Sequence, residues 1–268
     1  MGITRRTGVV IATSLGVIAT ALGGSMGAAG AAPAMPGTAA DPGAPYAQAA
    51  GPQNLLTFAG YQWTVKSSTT PIGPGPNVFA ASGPYVDSAG ALHLRIVKTK
   101  TGWESSEVIL NPTLGYGTYR WTVHGPVSTL DPNVVFALFT YDNSNTSPSN
   151  REIDFEASRF GYAPDPTNAQ YVVQPYETPG NLQRITIPKS STTTVTMTWV
   201  PGSVTFSVAT GRGRNVQTLP PWTNNSSSVP TSATEQVHMS LWLFRGAPPS
   251  DGKRAAITVD DFQFTPAS

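Results

Sequence analysis

The chain has 268 residues, a formal net charge of +1 and only 12% charged side chains, so charge implies neither nucleic acid nor an acidic polymer as partner. It has no cysteine, which excludes disulfides, thiolate metal sites and cysteine nucleophiles. Lys and Glu are scarce beside Thr, Val, Ser, Gly and Pro, a mix that suits strands and turns better than helices.

Arg5 and Arg6 precede an apolar stretch from Val9 to Leu22, followed by the small-residue patterns Ala29-Gly30-Ala31 and Ala32-Pro33-Ala34. Residues 1–34 therefore read as a secretory signal peptide, which implies a secreted, extracellular protein with no membrane association after cleavage. The Gly23-Gly24-Ser25-Met26-Gly27 run matches a serine-hydrolase elbow in spacing, but it lies in the segment to be removed and lacks the strand–turn–helix setting. Residues 35–53, rich in Ala, Pro and Gly, read as a flexible linker. One domain is expected over residues 54–268.

Within that domain apolar residues recur with period two, the mark of strands with one buried face. Leu92, Leu94 and Ile96 share a face, as do Tyr119, Trp121 and Val123. In 152–157, Ile153, Phe155 and Ala157 alternate with Glu152, Asp154 and Glu156. Val195, Met197 and Trp199 form the next set, and Val204, Phe206 and Val208 the one after Pro201-Gly202. Near the end, Val237, Met239, Leu241 and Leu243 oppose His238, Ser240, Trp242 and Phe244. Gly and Pro clusters such as Gly73-Pro74-Gly75-Pro76 separate the runs. Many short strands without a long amphipathic helix predict an all-β jelly-roll sandwich.

Glu152, Asp154 and Glu156 are the candidate catalytic residues. Side chains two apart on a strand are separated by roughly 6–7 Å, so three carboxylates on one face repel. A solvated edge strand or a calcium site is the bland explanation. The chemical one is glycoside hydrolysis, which needs one protonated and one ionised carboxyl astride the scissile bond. Repulsion itself splits their pKa values.

The segment Glu152-Ile153-Asp154-Phe155-Glu156 resembles the central motif of glycoside hydrolase family 16, in the unbulged form of its bacterial lichenase-like branch. Ser106-Glu107-Val108, Gly115-Tyr116-Gly117-Thr118-Tyr119, 136–141, Trp199-Val200-Pro201-Gly202, Met239-Ser240-Leu241-Trp242 and Val259-Asp260-Asp261-Phe262 resemble its flanking strands, in order. The resemblance implies a concave sheet carrying the substrate cleft and a retaining endo-acting hydrolase of β-1,3-1,4 or β-1,3 glucans. It assigns Glu152 as nucleophile, Asp154 as its assisting carboxylate and Glu156 as general acid/base. It implies sugar stacking on Phe139 and Trp242, for which core packing is the alternative, and hydroxyl contacts from Glu107, Gln174 and Tyr176. It requires no cofactor for chemistry. A structural calcium ion would fall at Asp261 with the Gly90 carbonyl, against an equal alternative of a solvated Asp. It implies a polysaccharide partner and a monomeric protein. Ile109, Asn150 and Arg151 depart from the branch's pattern of an Arg and a Trp at these places, which leaves the linkage open. A non-catalytic carbohydrate-binding jelly roll and a transglycosylase are the competing readings.

Overall fold

Period-two patterning needs a partner layer for each apolar face, and a computed structural model shows how it is met. The structure describes residues 54–144 and 149–268. The expected signal peptide (1–34) and linker (35–53) lie outside the described residues. Antiparallel strands pair into one sheet in the spatial order Leu55–Phe58, Tyr61–Val65, Trp103–Leu110, Gln236–Leu243, Val134–Tyr141, Ile153–Ala157, Ala169–Val173 and Leu182–Ile185. A second layer runs Tyr85–Val86, Leu92–Lys98, Ala255–Pro266, Gly117–His124, Thr192–Val200 and Ser203–Thr210, with Gln217–Thr218 and Trp222–Asn224 both on the last. The hairpin between Leu92–Lys98 and Trp103–Leu110 joins the layers. This curved, nearly all-antiparallel arrangement is the jelly-roll sandwich expected from the alternation.

The inward residues of both layers meet in one core. Trp63, Trp121, Trp199, Phe136, Phe155, Tyr171 and Phe206 are fully buried there, beside Leu92, Leu94, Met197 and Met239. At roughly 1.5–3 kcal/mol per buried apolar side chain, this layer dominates stability. Two glycines are fixed by local geometry. Gly202 takes φ 71° in the two-residue turn after Thr192–Val200, where Val200 faces Ser203. At Gly117 a Cβ would sit 2.4 Å from the Phe264 ring and the Thr265 carbonyl. Among the described residues no helix is long and apolar enough to cross a membrane.

Candidate active site

The carboxylate strand is central in the first layer, with Val134–Tyr141 on one side and Ala169–Val173 on the other. Ile153, Phe155 and Ala157 enter the core, so Glu152, Asp154 and Glu156 project from the opposite face. Register sets their neighbours. One row crosses Glu107, Ser240, Ala137, Glu156, Gln170 and Arg184. The next crosses Ile109, His238, Phe139, Asp154, Val172 and Leu182. Neighbouring strands lie about 4.8 Å apart, which places Glu107 roughly 15 Å from Glu156 along its row.

The three carboxylates are 3%, 2% and 2% exposed, far less than acids normally are. Gln170 Nε2 donates to Glu156 Oε2 at 2.8 Å. Burial pushes Glu156 up to about 7, against the lowering effects of that hydrogen bond and the Arg184 charge. Glu152 and Asp154 are also raised, first by burial and then by the neighbouring carboxylates. A hydrogen bond joins these two, opposing the rise at Glu152 and adding to it at Asp154. Gln174 also hydrogen-bonds Asp154. Glu152 Oε2 and Asp154 Oδ2 are buried acceptors with no protein partner. A buried face with orphaned carboxylate oxygens is costly for folding and suited to a polar ligand.

Glu107 lies on the same face and is tied to its own strand neighbours. Its Oε2 accepts from Lys66 Nζ at 3.0 Å and Ser240 Oγ at 3.1 Å, and its Oε1 from His238 Nδ1 at 2.9 Å. Burial would raise its pKa, but Lys66 and His238 outweigh that and hold it below the usual range. Burial holds His238 below its ordinary value despite Glu107, which leaves a neutral imidazole. The Phe139 ring lies 4.8 Å from that imidazole and 6.4 Å from the Tyr141 ring. Trp242 projects from the same face but is only 2% exposed, packed with Phe79, Val135, Phe160 and Phe244. Tyr176 packs against that cluster, and its backbone N–H donates to Gln174 Oε1. The fold thus brings Phe139 and Gln174 to Asp154 and sets Tyr176 beside Gln174, whereas Trp242 is buried in the aromatic cluster and Glu107 lies three strands from Glu156.

Asn150 and Arg151 occupy left-handed backbone beside Glu152 and do structural work there. Asn150 Nδ2 donates to the Tyr141 hydroxyl at 2.9 Å, while Arg151 pairs with Asp142 and donates to the Thr231 carbonyl. Gln170, Arg184 and Lys66 belong to the site although no sequence motif marks them.

Asp261 and Gly90 lie far from this face, in the second layer. Asp261 follows a β-bulge, and its Oδ2 accepts from Gln263 Nε2 at 2.7 Å. The pairing of Val259 with Leu92 runs toward Gly90. Among the described residues no group of three or more acids or histidines could hold a metal. Calcium takes six to eight oxygens. One engaged carboxylate does not make that cage, so the side chains present do not fit a calcium site of their own.

No family model matches the chain, and no curated protein matches it. Solved structures do. The β-glucanase of Bacillus licheniformis superposes with a TM-score of 0.58 at 17% identity, covering 80% of this chain and 97% of that one. A glycoside hydrolase family 16 endo-glucanase from Bacteroides ovatus gives 0.56 at 13%, covering 76% and 94%. A Mycobacterium tuberculosis protein described as an immunostimulatory antigen and pseudo β-1,3-glucanase gives 0.59 at 16%, covering 81% and 96%. With the carboxylate strand at the centre of its first layer, the chain carries the lichenase-like fold of glycoside hydrolase family 16.

Proposed function

We propose that the domain is a retaining endo-acting glycoside hydrolase of β-glucan-type polysaccharides with β-1,3-1,4 or β-1,3 linkages. The observation that carries this reading is one buried strand face: Glu152, Asp154 and Glu156 are 3%, 2% and 2% exposed on a central strand, and burial there raises Glu156 to about 7. An acid near 7 is half-protonated at neutral pH, as a group that must first give and then take a proton requires.

In the first step Glu156 donates its proton to the glycosidic oxygen. A Glu152 carboxylate oxygen attacks the anomeric carbon, the C–O bond to the leaving sugar breaks, and a glycosyl ester forms. Asp154 orients Glu152 and draws off charge through its hydrogen bond. Once Glu152 is an ester, its repulsion of Glu156 disappears. Loss of a neighbouring negative charge favours the ionised form of Glu156, which suits its second role as base. Glu156 next removes a proton from water as the water oxygen attacks the anomeric carbon, and Glu152 leaves as a carboxylate. Phe139 would offer an aromatic face to sugar C–H groups, and Gln174 and Tyr176 partners for hydroxyls, while Trp242, packed among Phe79, Val135, Phe160 and Phe244, and Glu107, tied to Lys66, Ser240 and His238, would support that face from below. We further read residues 1–34 as the export signal of a secreted, monomeric enzyme.

The test is one panel of barley mixed-linkage glucan, lichenan, laminarin, xyloglucan, agarose and carrageenan, with products sized and linkages read. Glu152→Gln and Glu156→Gln should each lower turnover by several orders of magnitude, the scale seen when such groups are removed. Near wild-type turnover in either variant sinks the assignment. The fold also carries a protein described as a pseudo β-1,3-glucanase, so binding without cleavage is the second reading. Retardation in affinity gels with no new reducing ends would establish it. Products longer than the substrate would mark a transglycosylase.

A further inference from the structure

Arg184 sits on Leu182–Ile185, directly across from Gln170. Its side chain is 12% exposed, and each nitrogen of the guanidinium is engaged. Nε donates to Thr167 Oγ1 at 2.8 Å, and one terminal nitrogen donates to Gln170 Oε1 at 3.2 Å. The other donates to Asp165 Oδ2 at 2.9 Å and to the Ser158 carbonyl at 3.1 Å. Asp165 is itself anchored, because its Oδ1 accepts from both the N–H and the hydroxyl of Thr167. The guanidinium also lies 5.1 Å from the Phe160 ring centroid. It cannot turn without breaking several of these contacts.

A carboxamide has an oxygen end and an NH2 end, and either can face a given neighbour. Arginine has only donors. The end of Gln170 that meets Arg184 must therefore be oxygen, which turns its NH2 toward Glu156, 2.8 Å away. The guanidinium therefore disfavours the turned-over amide. In that orientation the amide oxygen would face a carboxylate, or accept a proton from a carboxylic acid.

We propose that Arg184 is a positioning residue which, through Gln170, holds a hydrogen-bond donor against the Glu156 carboxyl and so keeps that group able to release its proton. The proposal rests on the acid/base role of Glu156 argued above. It explains why an arginine is held so firmly two strands away from the carboxylates. The burial that raises Glu156 is opposed first by the Gln170 hydrogen bond and then by the Arg184 charge. The other ionisable groups around Glu156 are Glu152 and Asp154 on its own strand. Across Val134–Tyr141 its partner is the uncharged Ala137; Glu107, neutralised by Lys66 and flanked by His238, lies beyond Ser240.

The test follows the Glu156 carboxyl by carbon-labelled NMR titration, and in parallel the pH dependence of kcat/KM. The proteins are wild type, Arg184→Met, Arg184→Lys, Gln170→Met and the Arg184→Met/Gln170→Met pair. Each Met single variant should move the Glu156 titration and the basic limb upward by about one pH unit, the size expected on losing one charged or hydrogen-bonded neighbour. The double variant should shift by less than the two singles together, since both cut one path. Arg184→Lys keeps the charge but not the fork, and should fall between wild type and Arg184→Met. An unmoved Glu156 titration in folded Arg184→Met, or additive shifts in the double variant, overturns the proposal. If Arg184→Met does not fold, an unmoved titration in Arg184→Lys does the same. The titration needs no substrate. A shifted titration with no turnover on any polysaccharide would defeat the hydrolase reading and leave the positioning role standing.

Discussion

Replacing Glu156 by Gln should make the protein more stable while it removes activity, and the gain should grow with pH. Glu156 is wholly buried, and its pKa rises from 4.5 in the unfolded chain to about 7. A carboxyl raised on folding binds its proton more tightly in the native state. Its contribution is therefore complete below about pH 4.5 and is lost as pH climbs through 7, the reverse of a salt-bridged acid. By linkage, the ionised group costs the folded state about 3 kcal/mol at pH 8 but only about 1 kcal/mol at pH 5. Gln mimics the protonated acid and escapes that cost. Its removal also relieves the repulsion that helps raise Glu152 and Asp154. For a domain of this size, about 3 kcal/mol corresponds to a Tm increase of roughly 6–12 °C. Thermal or urea unfolding of both proteins at pH 5 and pH 8 gives the comparison, with polysaccharide hydrolysis followed on the same samples. A variant less stable than wild type at pH 8, or a gap that does not widen between pH 5 and pH 8, refutes the reasoning.

Lys66→Met should cost about 3–5 kcal/mol, because it strands the Glu107 charge in a site where the two side chains are 5% and 1% exposed. Adding Glu107→Gln should recover most of that loss in urea unfolding, since Gln can still meet His238 and Ser240; no recovery would mean Lys66 acts through packing alone. Trp242→Ala should destabilise by about 3–5 kcal/mol, given its place among Phe79, Val135, Phe160 and Phe244. A variant that keeps its Tm and loses only glucan affinity would show the ring to be a sugar platform with little packing role. Gly117→Ala should cost about 3 kcal/mol or more, because its new methyl would meet Phe264 and Thr265 at 2.4 Å; an unchanged Tm would contradict the close approach of these strands.

The parts of this molecule that period two can encode were legible in its sequence. Ile153, Phe155 and Ala157 point into the core because side chains on a strand alternate, and the same rule puts Glu152, Asp154 and Glu156 on the other face. Alternation names a face, however, and not its surroundings. Trp242 shows the difference: it shares the polar face with His238 and Ser240 yet is buried in a second aromatic cluster, because Phe79 and Phe160 come over it from distant segments. The electrostatics of the site follow from register, which no local pattern carries. Lys66 meets Glu107 from 41 positions away, and His238 meets it from 131. Gln170 and Arg184 look like ordinary polar strand residues until pairing sets them in the Glu156 row. Asn150 and Arg151 are the instructive case. As departures from a family pattern they signal loss, whereas in the fold they take left-handed backbone and brace Tyr141, Asp142 and the 231 carbonyl beside Glu152. The motif places three carboxyls on a strand, but the neighbouring strands set how far each is buried and what it hydrogen-bonds. A change in register or in Arg184 would therefore change the surroundings of Glu156 with every motif residue intact.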